Sequence, residues 1–163
     1  MRPAVGDARS FVLPWAMDCG ITKQTDGRDA YYTIRWSPIA KANKFDIRAK
    51  VPAMGGVAEL YFKDDHGKLN LYMLARSYYG GLRATLRVAT DPEEEKDERR
   101  RAVLLAHEGE IYYRYALMES QDDMTDIVYF FLTTYSPKAD IPHSNRYERI
   151  FVKELDEGHL VTV

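Results

Sequence analysis

The chain has 163 residues, 45% hydrophobic and 12% aromatic, with 25 acids against 23 lysines and arginines for a formal net charge of −2. That length can bury a sizeable core within one domain, read here as an α+β body over residues 29–163 behind an irregular arm over 1–28. The near-neutral balance excludes a global attraction to nucleic acid or anionic membrane and confines any phosphate-binding surface to a local patch.

The arm carries Pro3, Gly6, Pro14, Gly20 and Gly27 with no sustained period, although Phe11, Leu13 and Trp15 can dock on the body. It lacks the apolar core of a signal peptide, and no apolar run in the chain approaches the roughly 20 residues of a membrane span. The expectation is a soluble cytoplasmic protein with no membrane partner. Cys19, the single cysteine, has no second thiol for a disulfide or a metal quartet and reads as a buried or incidental thiol.

Tyr31-Tyr32-Thr33-Ile34-Arg35-Trp36 predicts a strand, being rich in aromatic and β-branched residues. Ser37-Pro38 has the form of a helix cap and first turn, which predicts a helix to about Arg48 with Ile39, Ala42 and Phe45 on its apolar stripe. Residues 57–62 and 69–75 predict a hairpin closed by the polar segment Lys63-Asp64-Asp65-His66-Gly67-Lys68. Gly80-Gly81 opens a short helix over 82–89. Thr90-Asp91-Pro92-Glu93 starts another that reaches about His107. In that helix the acids of 93–98 lie one turn before Arg99-Arg100-Arg101 and neutralise them.

Residues 111–118 predict a strand. Ser120-Gln121-Asp122-Asp123 caps a helix to about Tyr135 whose apolar residues nearly encircle it, which predicts deep burial. Residues 149–155 and 159–163 predict a closing hairpin around Asp156-Glu157-Gly158. Strands mixed with helices and joined by hairpins give an α+β fold, a mainly antiparallel sheet of about five or six strands flanked by helices. His66, His107, His143 and His159 have no metal-ligand spacing.

One stretch carries chemistry. Pro52…Gly56-Val57-Ala58, the polar turn at 64–68, Tyr78-Tyr79-Gly80-Gly81, Leu82-Arg83…Leu86-Arg87 and Asp122-Asp123-Met124…Phe131-Leu132…Pro137 follow one another in order. Together they resemble the GIY-YIG nuclease domain over about residues 51–137, roughly half the chain. The resemblance implies a GIY-YIG-like core, with a hairpin, an arginine-bearing helix, a second helix, a third strand and a glutamate-bearing helix. It implies Tyr79 as acid/base and Arg87 as phosphate clamp, with Tyr78, Arg83 and Asn145 as binding residues; read from the residues alone, Arg76 joins Arg83 and Arg87 as a local basic candidate for binding. An aromatic hydroxyl can move or orient a proton, and a guanidinium offsets charge on a phosphate.

The sequence departs from that pattern at two positions. Ala58 stands where the family has its first tyrosine, and Val128 stands at the metal-binding glutamate. A hydrocarbon cannot hold a cation, so no metal ligand and no cofactor is predicted. The expectation leans away from an enzyme, toward a domain that binds nucleic acid or a protein partner through Tyr78, Tyr79, Arg83 and Arg87. One alternative is a divalent-metal-dependent endonuclease using Mg²⁺ or Mn²⁺, with an acid from Glu119, Asp122, Asp123 or Asp126. Another is a structural module whose tyrosine-rich sheet docks against another chain or a copy of itself.

Overall fold

The computed structural model describes residues 19–135 and 141–155. In chain order the elements are β1 (Gly20–Asp26), β2 (Asp29–Arg35), β3 (Ala40–Lys41), α1 (Lys44–Lys50), β4 (Gly56–Lys63), β5 (Leu69–Ser77), α2 (Gly81–Ala89), α3 (Glu98–Ala106), β6 (Ile111–Leu117), α4 (Gln121–Tyr135) and β7 (Arg149–Leu155). The seven strands form one sheet in the order β5-β4-β6-β1-β2-β7, with β3 paired to β6. Among the described residues no helix is long and apolar enough to cross a membrane.

Local chemistry sets most of these elements. Gly27, at φ +55°, supplies the two-residue turn that closes β1 on β2. In the β4–β5 connection the Asp64 carboxylate accepts from the backbone N–H groups of His66 and Lys68 and from the Asn70 amide, while Gly67 turns at φ +78°. The Asn43 side chain caps α1 by accepting from the N–H groups of Phe45 and Asp46. Ser120 caps α4 by accepting from the N–H of Asp123.

Strand alternation divides the core into two layers. Ala58 and Leu60 of β4 and Tyr113 and Tyr115 of β6 face one side, where Ile47 and Val51 from α1 and its C-terminus pack with Leu82, Leu86 and Ala89 of α2. Val57 and Ala116 face the other side, against Met124, Ile127 and Phe131 of α4 and Ala30, Tyr32, Ile34 and Trp36 from β2 and its end. Helices α2 and α4 therefore occupy opposite faces of β4. Gly55 and Gly56 permit both dockings. A Cβ on Gly56 would lie 2.2 Å from the Ala116 carbonyl oxygen and 2.8 Å from Leu82 Cδ1, and one on Gly55 would lie 3.1 Å from Met124 Cε.

Several expectations are corrected. The sheet is mixed, not mainly antiparallel, because β7 runs parallel to β2 over seven residue pairs and β1 meets β6 in parallel at Gly20 and Leu117. Residues 20–26 of the expected arm form β1, hairpinned to β2. The helix expected from Ser37-Pro38 starts only at Lys44, since Ser37 turns inward and its Oγ accepts from the Tyr115 N–H. Helix α3 begins at Glu98, because Glu95 is buried, pairs with Arg100 at 3.7 Å and accepts from the Asp97 N–H instead of continuing a helical turn. Residues 1–18, Pro137 and the second arm of the closing hairpin at 159–163 lie outside the described residues.

Gly56→Ala is expected to cost about 3 kcal/mol or more, because its methyl group meets backbone on one side and Leu82 on the other. Gly20→Ala meets only the Leu117 carbonyl at an ordinary 3.8 Å and should change stability by less than about 0.5 kcal/mol. Urea unfolding of the two variants checks the contrast.

Candidate functional site

Helices α1 and α2 pack side by side on one face of the sheet and leave between them a cleft of about 740 Å³. Gly80, Arg83, Ala84 and Arg87, one or two residues per turn, make the α2 wall. Lys44, Phe45, Ile47 and Arg48 make the α1 wall, Ala53 lies between, and Asp91 and Glu94 close the far end. The α2 helix is pressed close at its start. A Cβ on Gly81 would lie 2.7 Å from the Ala53 carbonyl carbon, and the Leu82 N–H donates to the Met54 carbonyl at 2.8 Å.

Four cations line this cleft. Arg83 Nε donates to the Val51 carbonyl at the C-terminal end of α1 at 2.7 Å, which ties the two walls together. Its terminal nitrogens hold no further hydrogen bond among the described residues. Arg87 lies 3.6 Å from the Glu94 carboxylate. Among the described residues, Lys44, Arg48 and Arg83 have no carboxylate at ion-pair distance. Phe45 of the α1 wall is 72% exposed, and Tyr79, the residue before Gly80, is 85% exposed. Tyr78 meets Tyr79 edge-to-face with centroids 4.8 Å apart.

Of the residues singled out in the sequence, Arg83 and Arg87 line the cleft, and Tyr78 and Tyr79 lie just before its Gly80 without lining it. Arg76 and Asn145 do not join them. Arg76 pairs across β5–β4 with Val57, which belongs to the α4 face. Asn145 lies in the segment that follows α4, at φ +59°, where its N–H donates to His143 Nδ1. Ala58 is fully buried beneath α2, and Val128 is half-buried on the α4 side. Lys44, Phe45 and Arg48 escaped the sequence reading. Lys44 and Arg48 carry the available signal, two cations four residues apart on one helix, while Phe45 was expected on the buried stripe.

The acids of α4 belong to a different assembly. Asp126 is fully buried and accepts from the Tyr32 hydroxyl at 2.7 Å, from Arg146 at 2.5 Å and from the Ser144 hydroxyl. Asp123 accepts from Arg146 and from Lys23, both at 2.9 Å. Burial opposes ionisation of Asp123, but the Arg146 and Lys23 donors outweigh it and hold the carboxyl below the usual carboxylate range. Burial and the Asp126 carboxylate push the Tyr32 phenol upward. Glu119 and Asp122 are exposed near the start of α4, and neither lines the cleft. Among the described residues no three His, Cys, Asp or Glu side chains group as metal ligands.

A second charged cluster lies on the α4 side of the sheet. Arg114 of β6 donates to the buried Glu59 carboxylate through Nε at 2.7 Å and Nη2 at 2.6 Å, lies 4.6 Å from the Trp36 ring centroid and reaches Glu154 of β7 at 3.3 Å. Trp36 Nε1 donates to that same Glu154 oxygen at 2.9 Å, and the Tyr61 hydroxyl donates to Glu59.

A family model described as an uncharacterised protein matches residues 20–162. The chain belongs to that family. The match opens on the first residue of β1 and spans every described element, including both walls of the cleft. No curated protein and no solved structure matches the chain.

Because the folded state holds Asp123 below its unfolded pKa, its pairing stabilises the protein above about pH 4 and is lost as pH falls through the lowered value. Asp123→Asn is therefore expected to lower the unfolding free energy at pH 7 by about 2 kcal/mol. The difference from the parent chain should shrink steadily below about pH 4. Unfolding titrations across that range measure it.

Proposed function

We propose that the chain is a GIY-YIG-like domain that binds nucleic acid along the α1–α2 cleft and does not cut it. The observation that carries this reading is the set of cations Lys44, Arg48 and Arg83 lining one concavity without carboxylate partners among the described residues. Cations left unpaired in a cleft attract an anionic ligand. A polyphosphate backbone is met by several such groups at once. The order β4, β5, α2, α3, β6, α4 also supports the resemblance: it is hairpin, arginine-bearing helix, second helix, third strand and final helix.

The same geometry argues for binding without cleavage. Metal-assisted phosphate cleavage needs a carboxylate-held cation beside the phosphate clamp. Val128 supplies no ligand at the expected glutamate position, and Asp123 and Asp126 are engaged by Arg146 on the face opposite Arg83 and Arg87. The cleft's own acid Glu94 pairs with Arg87.

Binding of a labelled oligonucleotide should weaken linearly on a log–log plot against salt. Arg83→Ala and Arg48→Ala should each flatten that slope by about one released counterion, roughly 0.7 to 0.9 in slope units. Undetectable binding at low salt, with both variants and parent equally inert, removes the reading. Cutting of plasmid or branched DNA that Mg²⁺ or Mn²⁺ switches on and Arg87→Ala abolishes moves the assignment to a metal-dependent endonuclease.

A further inference from the structure

Resting on the nucleic-acid reading of the cleft, we infer that its occupant is an unpaired strand, with phosphates on Lys44, Arg48, Arg83 and Arg87 and bases stacked on Phe45 and Tyr79. The shape of the site is the first argument. Duplex DNA is read by helices or ribbons that project into its grooves, whereas here the cations line a concavity between two helices. A concave basic track suits a single strand, whose backbone can enter it.

The exposed rings are the second argument. Phe45 has no polar atom, so its 72% exposure on the first turn of α1 gives it no role toward a phosphate. An unpaired base offers such a ring a flat apolar partner. A paired base, stacked inside a duplex, does not. Tyr79 is 85% exposed beside the opposite wall, and Tyr78 packs edge-on against its ring. Phe45 lines the cleft itself, and Tyr79 immediately precedes Gly80 of the opposite wall. Lys44 Nζ lies 5.4 Å from the Phe45 centroid, which sets a cation beside the first stacking platform.

Charge and stacking separate cleanly in experiment. Fluorescence anisotropy with the full chain would compare oligodeoxythymidylate, oligouridylate, the matching dA·dT duplex and poly-glutamate. Both single strands are expected to bind at least about tenfold more tightly than the duplex. Phe45→Ala and Tyr79→Ala should each weaken single-strand binding roughly tenfold, leaving the salt slope and the duplex affinity unchanged. Phe45 is largely solvent-exposed, so this variant should keep the parent's unfolding midpoint, which is measured alongside.

Duplex binding as tight as single-strand binding, with Phe45→Ala silent, would overturn the inference while leaving the salt-dependent arginine cleft of the proposed function standing. Poly-glutamate binding as tightly as the oligonucleotides would overturn it in favour of an acidic peptide. Loss of all oligonucleotide binding would sink both readings together. A preference between the two single strands, which differ in both the 2′-hydroxyl and the thymine methyl group, supports the inference in either direction.

Discussion

The glycine pair at the start of β4 is the constraint on which the arrangement depends. Strand β4 is paired on both edges, to β5 and to β6, so both its faces are available only to helices. At Gly56 the Leu82 side chain comes in from α2, and at Gly55 the Met124 side chain comes in from α4. Side chains at these two positions would push one helix or the other away from the sheet end. With both helices seated, α2 is fixed next to α1, and the cleft between them follows. The same seating places α4 across the sheet, where Asp123 and Asp126 serve Arg146 instead of a ligand beside Arg83.

Burying charge is costly unless every group is paired, and the α4 side of the molecule is organised around that requirement. Asp126 has a phenol, a hydroxyl and a guanidinium as donors, which fix α4 to β2 and to the segment leading into β7. Glu59 and Arg114 do comparable work between the two halves of the sheet. Among the described residues the backbone joint between the halves includes the Gly20–Leu117 pair of β1 with β6, the Ser37 N–H donating to the Tyr115 carbonyl and the β3–β6 pairing. Arg114, reaching Glu59 on β4, Glu154 on β7 and the Trp36 ring, spans that joint with side chains. These clusters are internally satisfied and act as register devices; the cleft differs from them in that Lys44, Arg48 and Arg83 have no carboxylate partner among the described residues.

What could be read from the sequence was local. Residues 57–62 and 69–75 alternate and flank a polar turn, and the hairpin is there; the Ser120 cap and the apolar run after it give α4, although only its stripe of Met124, Asp126, Ile127 and Phe131 is buried and the expected deep burial all round is not met. Gly80-Gly81 opens α2, and Arg83 and Arg87 share its face. The signal for β1 was also present, since Asp26-Gly27 between threonine-bearing segments is a hairpin turn, but the glycines and prolines of the first 28 residues masked it. Ser37-Pro38 misled because a serine ahead of a proline has the form of a cap in isolation, while here its hydroxyl is used by the Tyr115 backbone from a strand 78 residues away. Glu95 misled in the same way through Arg100. The parallel pairing of β7 with β2 and the meeting of α1 with α2 are long-range choices that periodicity does not encode. For that reason Arg83 and Arg87 could be named in advance and Lys44, Phe45 and Arg48 could not.

The chain's overall charge bears on how such a cleft would work. At a net charge of −2 there is little long-range attraction to draw a polyanion in, and Glu94 already competes for Arg87 at one end of the groove. A handful of phosphate contacts supplies only weak, strongly salt-dependent affinity. Contacts that salt does not screen are then needed for useful binding near physiological ionic strength, and stacking on an exposed ring is one that a phosphate backbone cannot provide by itself. The balance between four cations and two rings is therefore what decides whether this surface distinguishes an unpaired strand from any other polyanion. On that view the hydrophobic side chain that helical periodicity assigns to the core, Phe45, matters more to recognition than any single arginine.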